Sequence, residues 1–123
     1  MPHIVVEHSN NILESINLSE IGKSIHNIFI EVSDTFKMHT LRTRVVSDDY
    51  YMADGGDHCF VHLNIELIAG RADEIKQGLI DKTIAYLNEY FASSISEKGC
   101  IISIELREIN PNLFKYAKVP GTN

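Results

Sequence analysis

The 123-residue chain has no apolar run near the roughly 20 residues needed to span a bilayer, so no membrane-spanning helix is expected. It also lacks a basic stretch followed by an apolar one at its start, the mark of a secretory signal. A cytoplasmic location is the expectation that follows. Basic residues are few: 11 Lys plus Arg stand against 17 Asp plus Glu, a formal net charge of −6. Nucleic-acid binding leaves a basic footprint, which is missing here. Only two cysteines occur, Cys59 and Cys100, at a spacing that fits no disulfide or metal framework. Each opens an expected strand and reads as a small buried hydrophobe.

Other signatures are missing as well. No nucleophile elbow is present. Gly55-Gly56 precedes a strand and not a helix, so a phosphate-cradling loop is disfavoured and turn glycines are the better reading. Six histidines form no compact ligand set. His58 and His62 are about 13 Å apart on an extended strand, and His3 and His8 point to opposite faces of another. A metal site is not expected.

What is present is a regular alternation of elements. The chain starts Met1-Pro2-His3, and Ile4-Val5-Val6 reads as a β-branched strand beginning at residue 2. After the turn cluster Ser9-Asn10-Asn11, Asn17-x-x-Glu20 offers a capping box. The following helix carries Ile21, Ile25, Ile28, Phe29 and Val32 on one face and fades near Ser33-Asp34. From Thr40 the period becomes two, with Leu41, Thr43 and Val45 on one side and Arg42, Arg44 and Val46 on the other. A polar connection, Ser47 to His58, leads to the clearest strand, Cys59 to Ile68.

A second helix opens at Ala72-Asp73-Glu74 and runs as one stripe through Ile75, Leu79, Ile84, Leu87, Phe91 and Ile95 to Lys98-Gly99. Cys100 to Ile109 is a fourth strand, and Asn110-Pro111-Asn112 closes the regular structure. The order is β-α-β twice, with parallel pairing inside each unit. The expected fold is therefore α+β, a four-stranded mixed sheet with two helices on one face. The other face carries His62, Asn64, Glu66, Ser103, Glu105 and Arg107 beside Phe60, Ile68 and Ile101. It is too polar for a core and too apolar for open solvent, which predicts a subunit interface.

Two features could carry chemistry. Arg42 and Arg44 project from one strand face roughly 7 Å apart. Like charges that close repel, so an anion is expected near them; the competing readings are ion pairs with some of the 17 acids or plain solvent exposure. Arginine's fork suits a planar carboxylate. Arg71, after a strand and before a helix, is a third cation. The other feature is Pro2. Once Met1 is removed it becomes a terminal secondary amine, more basic than an ordinary α-amino group of pKa about 7.7–8.0. Burial among apolar and cationic groups would bring it towards the range of a general base. With Met1 in place its nitrogen is an amide with no basicity.

Several segments in this order carry a resemblance: Pro2-His3-Ile4-Val5-Val6-Glu7, Arg42-Thr43-Arg44-Val45, Met52-Ala53-Asp54-Gly55, Phe60-Val61-His62 and Ala69-Gly70-Arg71. Together, from Pro2 to about Tyr116, the chain resembles the 5-carboxymethyl-2-hydroxymuconate isomerases of the tautomerase superfamily. The resemblance implies a trimer, catalysis by the amino-terminal proline, no cofactor, and a role in bacterial breakdown of homoprotocatechuate. By position it makes Pro2 the acid/base and Arg42 the activating arginine, with Arg44 and Arg71 as carboxylate binders. The substrate would be a small carboxylated 2-hydroxy-2,4-dienoate. Two alternatives stand beside this: a relative acting on another 2-oxo acid such as phenylpyruvate, and a non-catalytic trimeric binding protein. One tautomerase-like domain is expected over 1–123, its tail 117–123 either disordered or lying on a neighbouring subunit. The Gly55-Gly56-Asp57-His58 turn and the Val119-Pro120-Gly121 tail do not match the family pattern.

Overall fold

A computed structural model describes residues 2–52 and 56–121. Met1 and the Ala53-Asp54-Gly55 part of the family-like segments lie outside the described residues. Four strands form one sheet in the order β2-β1-β3-β4: β1 His3–Ser9, β2 Arg42–Asp48, β3 Cys59–Ile68 and β4 Cys100–Ile109. β1 pairs in parallel with β2, β3 in parallel with β4, and β1 antiparallel with β3. The two β-α-β units thus join through their first strands into a mixed sheet.

Strand alternation decides which residues meet the helices. Ile4 and Val6 of β1 and Val61, Leu63, Ile65 and Leu67 of β3 are buried under α1 (Leu18–Val32) and α2 (Asp73–Tyr90). From α1 come Ile21, Ile25 and Phe29, and from α2 Leu79 and Leu87, all fully buried. Ile28 and Val32 are only half-buried, at the flank of the α1 stripe. No helix among the described residues is long and apolar enough to cross a membrane.

Four expectations need correction. The capping box is half realised: Asn17 Oδ1 accepts from the Glu20 N–H at 3.0 Å. The Asn17 N–H, which Glu20 was expected to satisfy, donates instead to Tyr90 Oη at 3.0 Å. The first strand begins at His3 and not at Pro2. Thr40 belongs to a 3-10 turn, Met38–Thr40, because its N–H and hydroxyl both donate to the Lys37 carbonyl at 2.9 and 2.7 Å.

The second helix is two: α2 stops at Tyr90 and α3 spans Ala92–Lys98, so the described sheet carries three α-helices. The hinge is Phe91, which leaves helical geometry at φ −99° and ψ 26°. Its ring is fully buried, and the bend delivers Ser94 into the interior, where Ser94 Oγ and N–H both donate to the Glu14 carboxylate. The Ser94 hydroxyl also accepts from the Leu13 N–H at 2.8 Å. Burial alone would raise the Glu14 pKa, but the donors from Ser94 and Ser93 outweigh it and hold the carboxyl below its ordinary value. A straight helix could not close this polar knot.

Cys59 and Cys100 stand side by side in the β3–β4 register, both as free thiols. Cys59 is buried and Cys100 half-buried. Burial pushes the Cys100 thiol up to about 11, with Cys59 and Glu14 adding to the shift, so it stays uncharged at neutral pH.

Candidate active site

The register gathers the candidate groups at one end of the sheet. His3 lies opposite Arg42 on one side and Glu66 on the other, so the starts of β1 and β2 adjoin the end of β3. Arg71 follows that end of β3 after the turn at Gly70, whose φ of 126° is a conformation that side chains rarely adopt. Pro2 is buried at the start of β1, and its carbonyl accepts from the Arg42 N–H at 3.3 Å. The backbone therefore ties the residue bearing the candidate base to the residue bearing the candidate activator.

Arg42 and Arg44 do share one face of β2, the face turned away from the helices, and both are exposed. The Arg42 guanidinium donates to two carbonyls, His39 O at 2.7 Å and Leu41 O at 3.1 Å. Those bonds fix its direction without neutralising its charge. None of the ion pairs among the described residues involves Arg42, Arg44 or Arg71. Acid pairing, one of the two competing explanations for Arg42 and Arg44, is therefore absent among those residues, while the other, plain solvent exposure, agrees with their exposed side chains. The field of Arg42 reaches further: His26, whose Nε2 lies 2.8 Å from Thr43 Oγ1, has its pKa lowered by burial first and by the Arg42 charge second.

Arg71 is positioned by stacking. Its guanidinium carbon lies 4.2 Å from the centre of the buried Phe36 ring, which meets Phe29 edge-on at 5.0 Å. A guanidinium over an aromatic face is attracted by the ring's quadrupole. Arg71 Nε is buried and has no hydrogen-bond partner among the described residues, so a donor there is left unused by them.

Beside Arg42 opens a cavity of about 520 Å³, lined by His39, Thr40, Arg42, Tyr116, Ala117 and Lys118. Of the four sequence-predicted residues, Arg42 alone lines it. Pro2 is outside its lining and is joined to it only by the hydrogen bond with the Arg42 backbone, while Arg44 lies one pleat further along β2 and Arg71 beyond the end of β3. Thr40 escaped notice because the strand period was carried back over it, and His39 because it falls between the first helix and that strand, in no periodic element. Tyr116 and Lys118 sit in a tail with no periodicity to place it. Another hollow, of about 460 Å³, is lined by Asp73, Lys76 and Glu108 among others. There Lys76 is already paired, at 3.1 Å with Asp73 and 3.0 Å with Glu108, leaving no spare charge for an anion.

On the same sheet face, the His62 ring meets Ser103 Oγ at 2.6 Å and Asn64 Oδ1 at 3.2 Å, while His58 donates to the Lys98 carbonyl at 3.1 Å. The two histidines thus serve separate partners.

With this geometry in view, the comparisons with known proteins are decisive. The sequence profile of the 5-carboxymethyl-2-hydroxymuconate isomerase family matches residues 2–119. The chain belongs to that family. The 5-carboxymethyl-2-hydroxymuconate Delta-isomerase of Escherichia coli is 31% identical over 122 residues, covering 97% of this chain and 96% of the relative. The crystal structure of a 5-carboxymethyl-2-hydroxymuconate isomerase from Deinococcus radiodurans R1 superposes with a TM-score of 0.86 at 26% identity, over 96% of this chain and 90% of that one. A fused 4-OT, solved as a wild-type symmetric trimer, shares the fold with a TM-score of 0.67 at 19% identity, over 94% and 91% of the two chains. These matches establish an isomerase family and a tautomerase-type α+β fold, as the ordered segments of the sequence implied.

Proposed function

We propose that the protein converts a carboxylated 2-hydroxy-2,4-dienoate, of the 5-carboxymethyl-2-hydroxymuconate type, to its 2-oxo-3-enoate in aromatic catabolism. One observation carries the reading: a buried Pro2 hydrogen-bonded through its carbonyl to Arg42, which lines a cavity and has no acid paired to it among the described residues. After removal of Met1, the Pro2 nitrogen takes the proton of the substrate's 2-hydroxyl. Electrons then shift so that C2 becomes a ketone and the C2=C3 and C4=C5 double bonds become C3=C4. The protonated Pro2 returns the proton to C5. No atom is gained or lost.

Arg42 stabilises the developing dienolate, the kind of electrostatic contribution that dominates many enzyme rate enhancements. Arg44 and Arg71 bind carboxylates from their places around the same end of the sheet. The unused Arg71 Nε supports its share of this. The reaction needs no cofactor, because the proton is moved and returned within one site. We further propose one domain over 1–123 and a homotrimer. The mixed polar and apolar sheet face supports a subunit interface, which would bring a neighbour's groups to Pro2.

Ketonisation of the dienol, followed by its ultraviolet absorbance, tests the reading on protein with a free Pro2 terminus. Pro2→Ala should lower kcat/KM about 10²–10⁴-fold, and Arg42→Ala about 10²–10³-fold, with folding intact by circular dichroism. Activity retained in both variants overturns the assignment. Protein that keeps Met1 should be as inactive as Pro2→Ala.

A further inference from the structure

The segment after β4 does not leave the molecule where β4 ends. β4 is one edge of the sheet and β2 the other, with β1 and β3 between. The end of β4 is tied to the end of β3, Ala69 N–H donating to Ile109 O at 3.0 Å. After a 3-10 turn, Pro111–Leu113, and a contact of the Phe114 and Tyr116 rings at 6.2 Å, the chain reaches the far edge. There Tyr116, Ala117 and Lys118 line the cavity opposite His39, Thr40 and Arg42, the residues that lead into β2. Three strand spacings amount to about 14 Å, which a few extended residues cover. The tail therefore crosses the end of the sheet at which Pro2 and Arg71 sit.

Little apolar burial accounts for this course, since Tyr116 is 65% and Val119 82% exposed. What the crossing does achieve is chemical. It brings Lys118 to the lining of the cavity of about 520 Å³ that Arg42 also lines, in a chain of net charge −6. Lys118 has no ion-pair partner among the described residues. The two cations differ in kind. Arginine presents a planar fork for a carboxylate and its neighbouring oxygen, whereas lysine is a compact point charge on a flexible stem. The volume lies within the about 300–1,000 Å³ of small-molecule sites.

We propose that Lys118, on the tail segment that also brings Tyr116 to the cavity, forms a further carboxylate subsite beside those of Arg44 and Arg71, which holds one distal carboxylate of the substrate while Arg42 engages the reacting end. Lys118 is then a specificity residue, selecting multiply carboxylated dienols over monocarboxylated ones. The identity of the reacting end rests on the isomerase reading above; the subsite itself does not require turnover.

Two measurements separate the two claims. In steady-state kinetics, Lys118→Ala should raise KM about tenfold for the tricarboxylated dienol and about twofold or less for 2-hydroxypenta-2,4-dienoate, with kcat little moved. Lys118→Arg should restore most of the loss. Lys115→Ala removes the same charge from the same tail but outside the cavity, and should do neither. In calorimetry, propane-1,2,3-tricarboxylate, which cannot react, should bind the wild type about tenfold more tightly than Lys118→Ala. Equal affinities, equal KM changes for both substrates, or the same effect from Lys115→Ala overturns the subsite. Lys118-dependent binding without any dienol turnover would leave the subsite standing and remove the isomerase assignment. Turnover indifferent to Lys118 would do the reverse.

Discussion

The two faces of the sheet are built from the same strands and solve different problems. Towards the helices, Ile4, Val6, Val61, Leu63 and Ile65 are fully buried and meet Ile21, Ile25, Phe29, Leu79 and Leu87. Their alternates, His3, Val5, Glu7, Phe60, His62, Asn64 and Glu66, are only half-buried, and Ile101 beside them is 64% exposed. On the open face the register lines up Arg42, His3, Glu66 and Arg107 in one row and Val46, Glu7, His62 and Ser103 in another. The helix-covered face is finished within one chain. The open face has its charges ordered but its apolar residues uncovered, and it is the face on which the proposed homotrimer would form.

The sharpest way to break the comparison is to truncate one side chain on each face of β3. Leu63→Ala removes a fully buried side chain from the covered face. It should cost about 2–5 kcal/mol, read by urea denaturation, at every protein concentration. Its neighbour Asn64 points the other way, and Asn64→Ala should cost a small fraction of that in a single chain. Similar losses for both would mean the faces are not different in kind.

Next in size is the polar closure of the covered side. Ser94→Ala deprives the Leu13 N–H of its acceptor and Glu14 of the hydroxyl donor, while the Ser94 N–H bond to Glu14 stays. A loss of about 1–3 kcal/mol is expected. Because hydrogen bonding holds the Glu14 carboxyl below its ordinary 4.5, that stability is present above about pH 4.5 and fades as pH falls through the lowered value. The Ser94→Ala penalty should therefore shrink in acid.

For the open face the readout is assembly. Ile101→Lys places a charge on its exposed apolar residue. Denaturation of the dilute single chain should change little, while association measured by sedimentation weakens at least about tenfold. An unchanged mass in the variant would remove this face from the interface.

Much of this was legible from residue order. Strict alternation from Cys59 to Ile68 identified β3 and both its faces, and the i, i+2 spacing put Arg42 and Arg44 on one side, as found. The apolar stripes named most of the buried helical positions, including Phe91. Hidden features share one cause, namely contacts far apart in sequence. The break at Phe91 answers to Glu14, Asn17 finds its second partner in Tyr90, and the tail finds the cavity at His39 and Thr40. No local period encodes such meetings. Pro2 stood out through chemistry and family likeness, and the structure adds its hydrogen bond to Arg42.

The smallest effect is a difference of sign with pH. At the β2 edge of the covered side, burial and then the Arg42 charge lower the His26 pKa from its ordinary 6.5. The unfolded chain then binds the proton more readily than the native one, so His26 contributes stability above about pH 6.5 that is lost as pH falls through the lowered value. On the open face, Glu7 is shifted the other way, above its ordinary 4.5, by a hydrogen bond with the Asp48 carboxyl, by burial and by the Asp48 charge. The native state holds that proton better, so its contribution is full below about pH 4.5 and is lost as pH rises through the raised value. Denaturation midpoints for His26→Gln and Glu7→Gln, each against wild type from pH 4 to 8, read the two directly. His26→Gln should flatten the wild-type decline below about pH 6.5. Glu7→Gln should remove a loss that sets in above about pH 4.5. Shifts of the same sign in both variants would show that the two faces do not differ in how they hold protons.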